Sequence, residues 1–401
     1  MDAQTRQPYR IFISTGEVSG DLQGALLIQG LQRQGQSLGI ALEITALGGE
    51  QMAKAGAHLL ADTTGIGAVG LWESLPYFLP TIQLQRKTQA YLRQHPPDVV
   101  VLIDYMGPNL GIGAFMKEEL PQVPVVYYIA PQEWVWSLGQ QNTVNIVRFT
   151  DLLLAIFPGE AQYFRDKGAQ VEWVGHPLID RMERAPSRTV ARQALGLRAD
   201  DVMIALVPAS RRQELKHLLP VMLQAAHQLQ DQFPHAHFYL PLSQEAYRQP
   251  IEVAIAGAGV PVTITVPDPP ALHETSQTLT VLAAADLAIT KSGTVNLEIA
   301  LLGVPQVVIY RVGAITAWIA RHLLKFSIPF MSPPNLVLMR QIVPELLQDE
   351  VSVERIVAES LDFLLDRRRR EQLNADYQEM RQALGTIGVC DRAALKILQF
   401  K

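Results

Sequence analysis

The chain has 401 residues, 18% of them charged and 48% hydrophobic, a balance that excludes a disordered polypeptide and describes a globular protein of two or three domains. Lys and Arg total 34 against 39 Asp and Glu, a net charge of -5 that excludes the whole-molecule basic field of a nucleic-acid binder. Any anionic ligand must therefore be held by local groups. The single cysteine, Cys390, can form neither an internal disulfide nor a cysteine-rich metal site, which fits a reducing compartment.

The N-terminal stretch Met1–Arg10 is polar and lacks the apolar segment of a signal peptide, so a cytoplasmic location is expected. The longest uncharged apolar stretch, Val253 to Pro267, is interrupted by Gly and Pro and falls short of the ~18 residues of a membrane span. Short apolar or β-branched runs recur at Arg10–Ser14, Glu43–Leu47, Val99–Ile103, Val123–Ile129, Leu152–Ile156 and Val171–Val174. They resume at Val202–Val207, His237–Leu240, Val262–Thr265, Leu287–Thr290 and Pro305–Tyr310. Amphipathic stretches separate them, and strands alternating with helices predict βαβ units and parallel sheets. Asp180 to Asp201, with Ala185-Pro186-Ser187 inside it, has weak periodicity and reads as a linker. The predicted fold is α/β: two Rossmann-like, doubly wound domains, residues 1–183 and 184–365, facing across a cleft, with charged helices over 366–401. Open α/β sheets bind ligands beyond the carboxyl ends of their strands, so function is expected on the strand-to-helix loops.

After the first strand come Gly16, Glu17, Ser19, Gly20 and Asp21, a turn that is not the dinucleotide GxGxxG pattern. Its acidic residues would repel a pyrophosphate; the loop either caps a helix or reads sugar hydroxyls. Val99–Ile103 delivers Asp104 at its carboxyl end, as a general base strengthened by partial desolvation or as a helix cap. Pro131–Trp136 places Trp134 and Trp136 around Val135, one indole suited to the core, and Glu133 beside them has no evident core role. His176 suits a hydrogen-bonding hinge or a ligand contact, and no partner stands at metal-ligand spacing. In the second half Ser210 and Arg211 open a helix after a strand, an arrangement that grips phosphate oxygens. Ser292, Gly293 and Thr294 offer donors for a diphosphate, and Glu298, one turn later, suits a ribose diol or a capping box.

These segments together resemble lipid-A-disaccharide synthases, inverting glycosyltransferases of the GT-B fold. The matching stretches are GEVSGD at Gly16–Asp21, GGEQMAKAG at Gly48–Gly56, VGLWESLP at Val69–Pro76, Ile103-Asp104 with Asn109, and PQEWVW at Pro131–Trp136. VGHPLID at Val174–Asp180, PASRRQE at Pro208–Glu214, SGTVNLE at Ser292–Glu298 and PNLVLMRQIVPELLQDE at Pro334–Glu350 follow in family order. The resemblance implies that UDP-2,3-diacylglucosamine is joined to 2,3-diacylglucosamine 1-phosphate in a β-1,6 linkage with release of UDP. It implies an acceptor-binding N-terminal domain and a UDP-sugar-binding C-terminal domain. Asp104 would take the proton of the acceptor hydroxyl, Arg211 with Ser210 would stabilise the leaving diphosphate, and Glu17 joins Asp104 and Arg211 among the candidate catalytic residues. Ser292, Gly293, Thr294, Glu298 and Asn335 would contact the nucleotide or lie near the reaction centre. No cofactor and no metal are implied, since the UDP-sugar is itself the donor substrate.

The chain departs from the common family pattern at Gly107, where an acidic residue is usual, and at Ser137, where a basic one is. Ala209 replaces a glycine and Lys291 a small residue. Lipid substrates imply a membrane surface at the inner face of the cytoplasmic membrane. Ile66–Gln83 and Thr316–Phe330 combine apolar residues, with cations in the second, and suit either an interfacial helix or an oligomer contact. The resemblance also implies a homodimer whose C-terminal segments pack on the N-terminal domain or are exchanged. Rival readings are another UDP-sugar enzyme of this fold, such as a UDP-N-acetylglucosamine 2-epimerase or a lipid II-type transferase, and a lipid- or nucleotide-binding relative without chemistry.

Overall fold

The computed structural model describes residues 7–64, 78–135, 139–208, 212–267, 276–311 and 330–401. The chain divides into two compact units, one of residues 1–180 with 384–401 and one of residues 181–383.

In the first unit β1 (Tyr9–Ser14), β2 (Leu42–Gly48), β3 (His58–Asp62), β4 (Val99–Ile103), β5 (Val125–Tyr128), β6 (Leu152–Ala155) and β7 (Val171–Trp173) form one parallel sheet in the order β3-β2-β1-β4-β5-β6-β7. Residues Val99 to Ile103 are buried along their whole length, because a central parallel strand is covered on both faces. The flanking helices are α1 (Glu17–Leu38), α2 (Glu50–Lys54), α3 (Phe78–Gln94), α4 (Met106–Glu119), α5 (Gln141–Phe149) and α6 (Pro158–Asp166), and the chain passes into the second unit within α7 (Leu178–Met182). Phe12, Leu102, Tyr127, Phe149, Leu153 and Phe164 pack in one core cluster of this unit.

The second unit holds α8 (Arg188–Ala194), β8 (Met203–Val207), α9 (Arg212–Gln232), β9 (His237–Leu240), α10 (Arg248–Ala258), β10 (Val262–Ile264), α11 (Gln277–Ala284), β11 (Leu287–Lys291), α12 (Val295–Leu301), β12 (Gln306–Tyr310) and β13 (Glu345–Leu347). Its parallel sheet runs β10-β9-β8-β11-β12-β13, and helices Pro333–Leu338, Val353–Leu365 and Arg367–Ala383 complete it.

Every strand read from the sequence is present, with ends moved by a residue or two. Two strands were not foreseen, β3 and β13, each the outer strand of its sheet. The expected linker is largely structured. Its helix α8 buries Arg192, whose guanidinium donates to Ala284 O at 2.9 Å, to Arg198 O at 2.7 Å and to Asp286 at 3.3 Å. The C-terminal helices expected over 366–401 are present and are divided between the units. Arg367–Ala383 belongs to the second unit, where Tyr377 donates to Val304 O at 3.1 Å. Helix Val389–Leu398 belongs to the first, where its N-terminal amides of Gly388, Val389 and Cys390 donate to Asp180 at 2.7, 3.1 and 2.8 Å. This helix packs on α1 at Gly30, where a Cβ would lie 2.6 Å from Cys390 O.

Candidate active site

In each sheet the strand order reverses beside the first strand of its unit, between β1 and β4 and between β8 and β11. Loops after those strands are where open parallel sheets hold ligands. They carry Gly16–Asp21 and Asp104 in the first unit, and Ser210–Arg211 and Ser292–Glu298 in the second.

Asp104 directly follows β4 and is exposed rather than desolvated. Its backbone is held in the left-handed region, φ 43°, as are those of Tyr105 at 51° and Ile129 at 61°. Such conformations cost non-glycine residues about 1–3 kcal/mol each and persist only where the surroundings enforce them. Here the enforcement is explicit. Asp104 N–H donates to Ile129 O at 2.9 Å, while Asp104 O accepts from Tyr127 Oη at 2.9 Å and Asn109 Nδ2 at 2.8 Å. Asn109 is fully buried, donates also to Ile103 O at 3.0 Å and accepts from Ser14 Oγ at 2.7 Å, tying the ends of β1 and β4 together. The Tyr105 ring lies over Gly16, where a Cβ would come within 2.4 Å of it, so the glycine of the first loop is required by close approach.

Asp21 proves to be a cap rather than a reader of sugar hydroxyls. It is buried, and its carboxylate accepts from Gly49, Gln51 and Met52 N–H at 2.9, 3.1 and 3.0 Å, closing the N-terminus of α2. Burial raises its pKa against the lowering effect of those amides. Glu17 is the first residue of α1; its side chain lies outside the described residues. Glu133 does have a structural role: it is buried and accepts from Asn142 Nδ2 at 3.1 Å and Thr143 Oγ1 at 3.4 Å, fastening its loop to α5. Trp134 packs on Phe157 at 5.7 Å between ring centroids, whereas Trp136 and Ser137 lie outside the described residues.

Glu160 was not singled out by its sequence pattern, although it lies close behind this corner. It is buried, and its carboxylate accepts from Ala130 N–H at 2.9 Å, Ile156 N–H at 2.8 Å and Phe157 N–H at 3.2 Å, joining the ends of β5 and β6. Burial pushes its pKa up to about 7, the three amides oppose this, and the charge of Asp104 adds to it. His176 is buried with its Nδ1 accepting from Leu178 N–H at 3.2 Å, and burial lowers its pKa to about 3, so the imidazole is neutral. That makes it a turn-forming residue of the Val174–Asp180 segment.

In the second unit Ser210 and Arg211 lie outside the described residues. Ser292 Oγ donates to Met331 O at 2.6 Å, and Gly293 N–H donates to Asn296 Oδ1 at 2.7 Å, so these two expected phosphate donors hold the loop itself. Thr294 Oγ1 bonds to no other described residue. Glu298 is nearly buried and pairs with Arg181 at 2.5 Å. Asn335, expected near the nucleotide, is fully buried with its amide saturated: it donates to Val343 O at 3.0 Å and Glu345 Oε1 at 2.7 Å and accepts from Ile342 and Val343 N–H at 2.7 and 2.9 Å. Its amide thus holds the turn between Asn335 and Glu345. Glu345, whose role was not read from its motif, also accepts from Met331 and Ser332 N–H at 2.8 and 2.9 Å and so links Asn335 to the Ser292 loop. Among the described residues no cluster of three or more His, Cys, Asp or Glu is arranged to hold a metal ion, and no helix is long and apolar enough to cross a membrane.

A model of the family described as lipid-A-disaccharide synthetase matches residues 11–400. The chain belongs to that family. A lipid-A-disaccharide synthase from Gloeothece citriformis is 54% identical over 391 residues, spanning 98% of this chain and 100% of the relative. One from Synechocystis sp. is 52% identical with 98% of each covered, and one from Geobacter sulfurreducens is 34% identical with 98% and 97% covered. Among solved structures the S. aureus MnaA–UDP co-structure has a TM-score of 0.66 at 13% identity, covering 98% of this chain and 97% of that one. A Neisseria meningitidis UDP-GlcNAc 2-epimerase bound to UDP-GlcNAc has a TM-score of 0.63 at 12% identity, covering 98% and 100%. At such low identity the likeness establishes the fold, two Rossmann-like domains of GT-B type. Membership in the lipid-A-disaccharide synthases makes the chain a glycosyltransferase of lipid A biosynthesis acting on a nucleotide-sugar and a lipid-linked sugar. It does not favour the epimerase or lipid II-type alternatives.

Proposed function

We propose that this lipid-A-disaccharide synthase acts by direct, inverting displacement without a metal or cofactor, with Asp104 as its base. The acceptor is 2,3-diacylglucosamine 1-phosphate and the donor UDP-2,3-diacylglucosamine. Asp104 takes the proton of the acceptor 6-hydroxyl as that oxygen attacks the anomeric carbon. The bond from that carbon to the diphosphate oxygen breaks on the opposite face, UDP departs with the electron pair, and a β-1,6 linkage results. The observation that carries this reading is the corner at the end of β4, where Asp104 and Ile129, both left-handed, are bonded to each other and Tyr127 donates to Asp104 O. An exposed carboxylate on a fixed backbone suits a base that meets an incoming hydroxyl without reorganising.

Arg211 with Ser210 stabilises the charge that grows on the leaving diphosphate, Thr294 contributes a donor, and Glu298, steadied by Arg181, receives the ribose hydroxyls. The acyl chains bring the enzyme to the cytoplasmic face of the inner membrane as a homodimer. Of the two apolar segments suited to that contact, residues 66–77 and 316–329 lie outside the described residues; Leu79, in the remaining part, is 68% exposed.

The test is UDP release by the purified protein in detergent micelles, with and without acceptor and with a chelator. Acceptor-dependent release, a β-linked disaccharide and indifference to chelation are expected. Release without acceptor, an α linkage or loss of turnover on chelation would each overturn the corresponding part of the mechanism.

A further inference from the structure

We infer that Lys291 is a second cation for the donor's diphosphate, held ready by Glu214; this rests on the reading that UDP binds at the Ser292–Thr294 loop. Lys291 is the last residue of β11, next to that loop, where the common family pattern has a small side chain. Its Nζ lies 3.0 Å from Glu214 Oε1, in the first turn of α9, and the two side chains are 17% and 16% exposed. Glu214 Oε2 is buried and has no hydrogen-bond partner among the described residues. Burying one carboxylate oxygen without a partner is costly, so the pair is poorly explained as a device for stability alone.

Gly293 gives the second half of the argument. Its φ is not in the left-handed region, so its backbone does not demand glycine. A Cβ built on it would meet one neighbour within 4 Å among the described residues, Lys291 Nζ at 3.6 Å, an ordinary contact. Among the described residues the space above Gly293 is open, and the Lys291 ammonium borders that space. An anion approaching the backbone there would touch the ammonium directly. With Gly293 N–H and the Ser292 hydroxyl hydrogen already committed to Asn296 and Met331, Lys291 adds to the Thr294 hydroxyl the charged donor that the loop itself does not carry. Without ligand, Glu214 neutralises Lys291 and fixes its position. With a diphosphate bound, the ammonium is shared between carboxylate and phosphate.

The experiment is calorimetric titration of UDP and of uridine into the wild-type protein, Lys291→Ser, Glu214→Gln and the double variant. Lys291→Ser should weaken UDP about 10- to 100-fold while leaving uridine unchanged, and should flatten the salt dependence of UDP binding. Should Lys291→Ser fold poorly because Glu214 is left uncompensated, the double variant compared with Glu214→Gln isolates the lysine, with the same loss expected. Equal effects on UDP and uridine, or none on either, would show a purely structural pair and overturn the assignment. A wild-type protein that binds neither would instead remove the nucleotide site on which the assignment rests, and the assignment with it.

Discussion

At the scale of single residues, the corner around Asp104 separates chemistry from support. Asp104→Asn keeps the shape and the backbone bonds but removes the base, so turnover should fall by about two to four orders of magnitude with UDP affinity nearly unchanged. A collapse of UDP binding in that variant would make Asp104 structural. Tyr127 acts one step removed, through the hydrogen bond its hydroxyl donates to Asp104 O. In Tyr127→Phe the carbonyl keeps Asn109 as a donor, so stability should drop by about 1 kcal/mol. Turnover should drop about tenfold, from imprecise placement of the carboxylate. Steady-state kinetics should show the loss in kcat, with the KM for UDP-sugar unmoved. Asp104 itself was legible in the sequence because a lone acid at the end of an apolar run has few structural uses. Asp21, Asn335 and Glu345 were not, since their partners, backbone groups and for the last two each other's side chains, are brought close only by the fold. A buried capping carboxylate and a sugar-reading one look alike in a sequence.

Among the secondary-structure elements, central strands announce themselves and edges do not. Val99–Ile103 is apolar throughout because both faces are covered, whereas His58–Asp62 is exposed at both ends and β13 is only three residues long. The helix inside the expected linker was hidden for a related reason: α8 draws its hold on the unit from Arg192 and Arg188, not from a long apolar stripe. Arg188 reaches Asp286 at 2.6 Å. The sharpest element-level expectation concerns α1 against helix Val389–Leu398. Gly30→Val should push that helix away, since even a single Cβ would come 2.6 Å from the Cys390 carbonyl, and overpacking of this kind costs about 1–3 kcal/mol. Thermal unfolding should show the loss. An unchanged midpoint would mean that the two helices separate easily.

For the whole molecule, two buried groups in the first unit set opposing pH dependences. Glu160 titrates at about 7 when folded against 4.5 when free, so in between the folded chain keeps a proton that the unfolded chain has released. Its contribution to stability is full below the lower value and lost as pH rises through the higher one. His176 titrates at about 3 when folded against 6.5 when free, so its contribution is present above 6.5 and lost as pH falls toward 3. Between pH 4.5 and 6.5 the two slopes oppose each other. Chemical denaturation across that window should show His176→Gln losing stability with rising pH relative to wild type, and Glu160→Gln gaining it. Parallel profiles in all three proteins would show that neither group titrates as its burial implies. The chain path has a further consequence. Residues 181–383 form a continuous insertion within the first unit, whose last helix is made only at the end of the chain. The unit that synthesis begins is thus the one it finishes last. At ribosomal speeds the face of α1 around Gly30 waits about 20–70 s for its covering helix, and the inserted unit is complete first. Translation order, not only sequence, decides which apolar surface a nascent chain must shield.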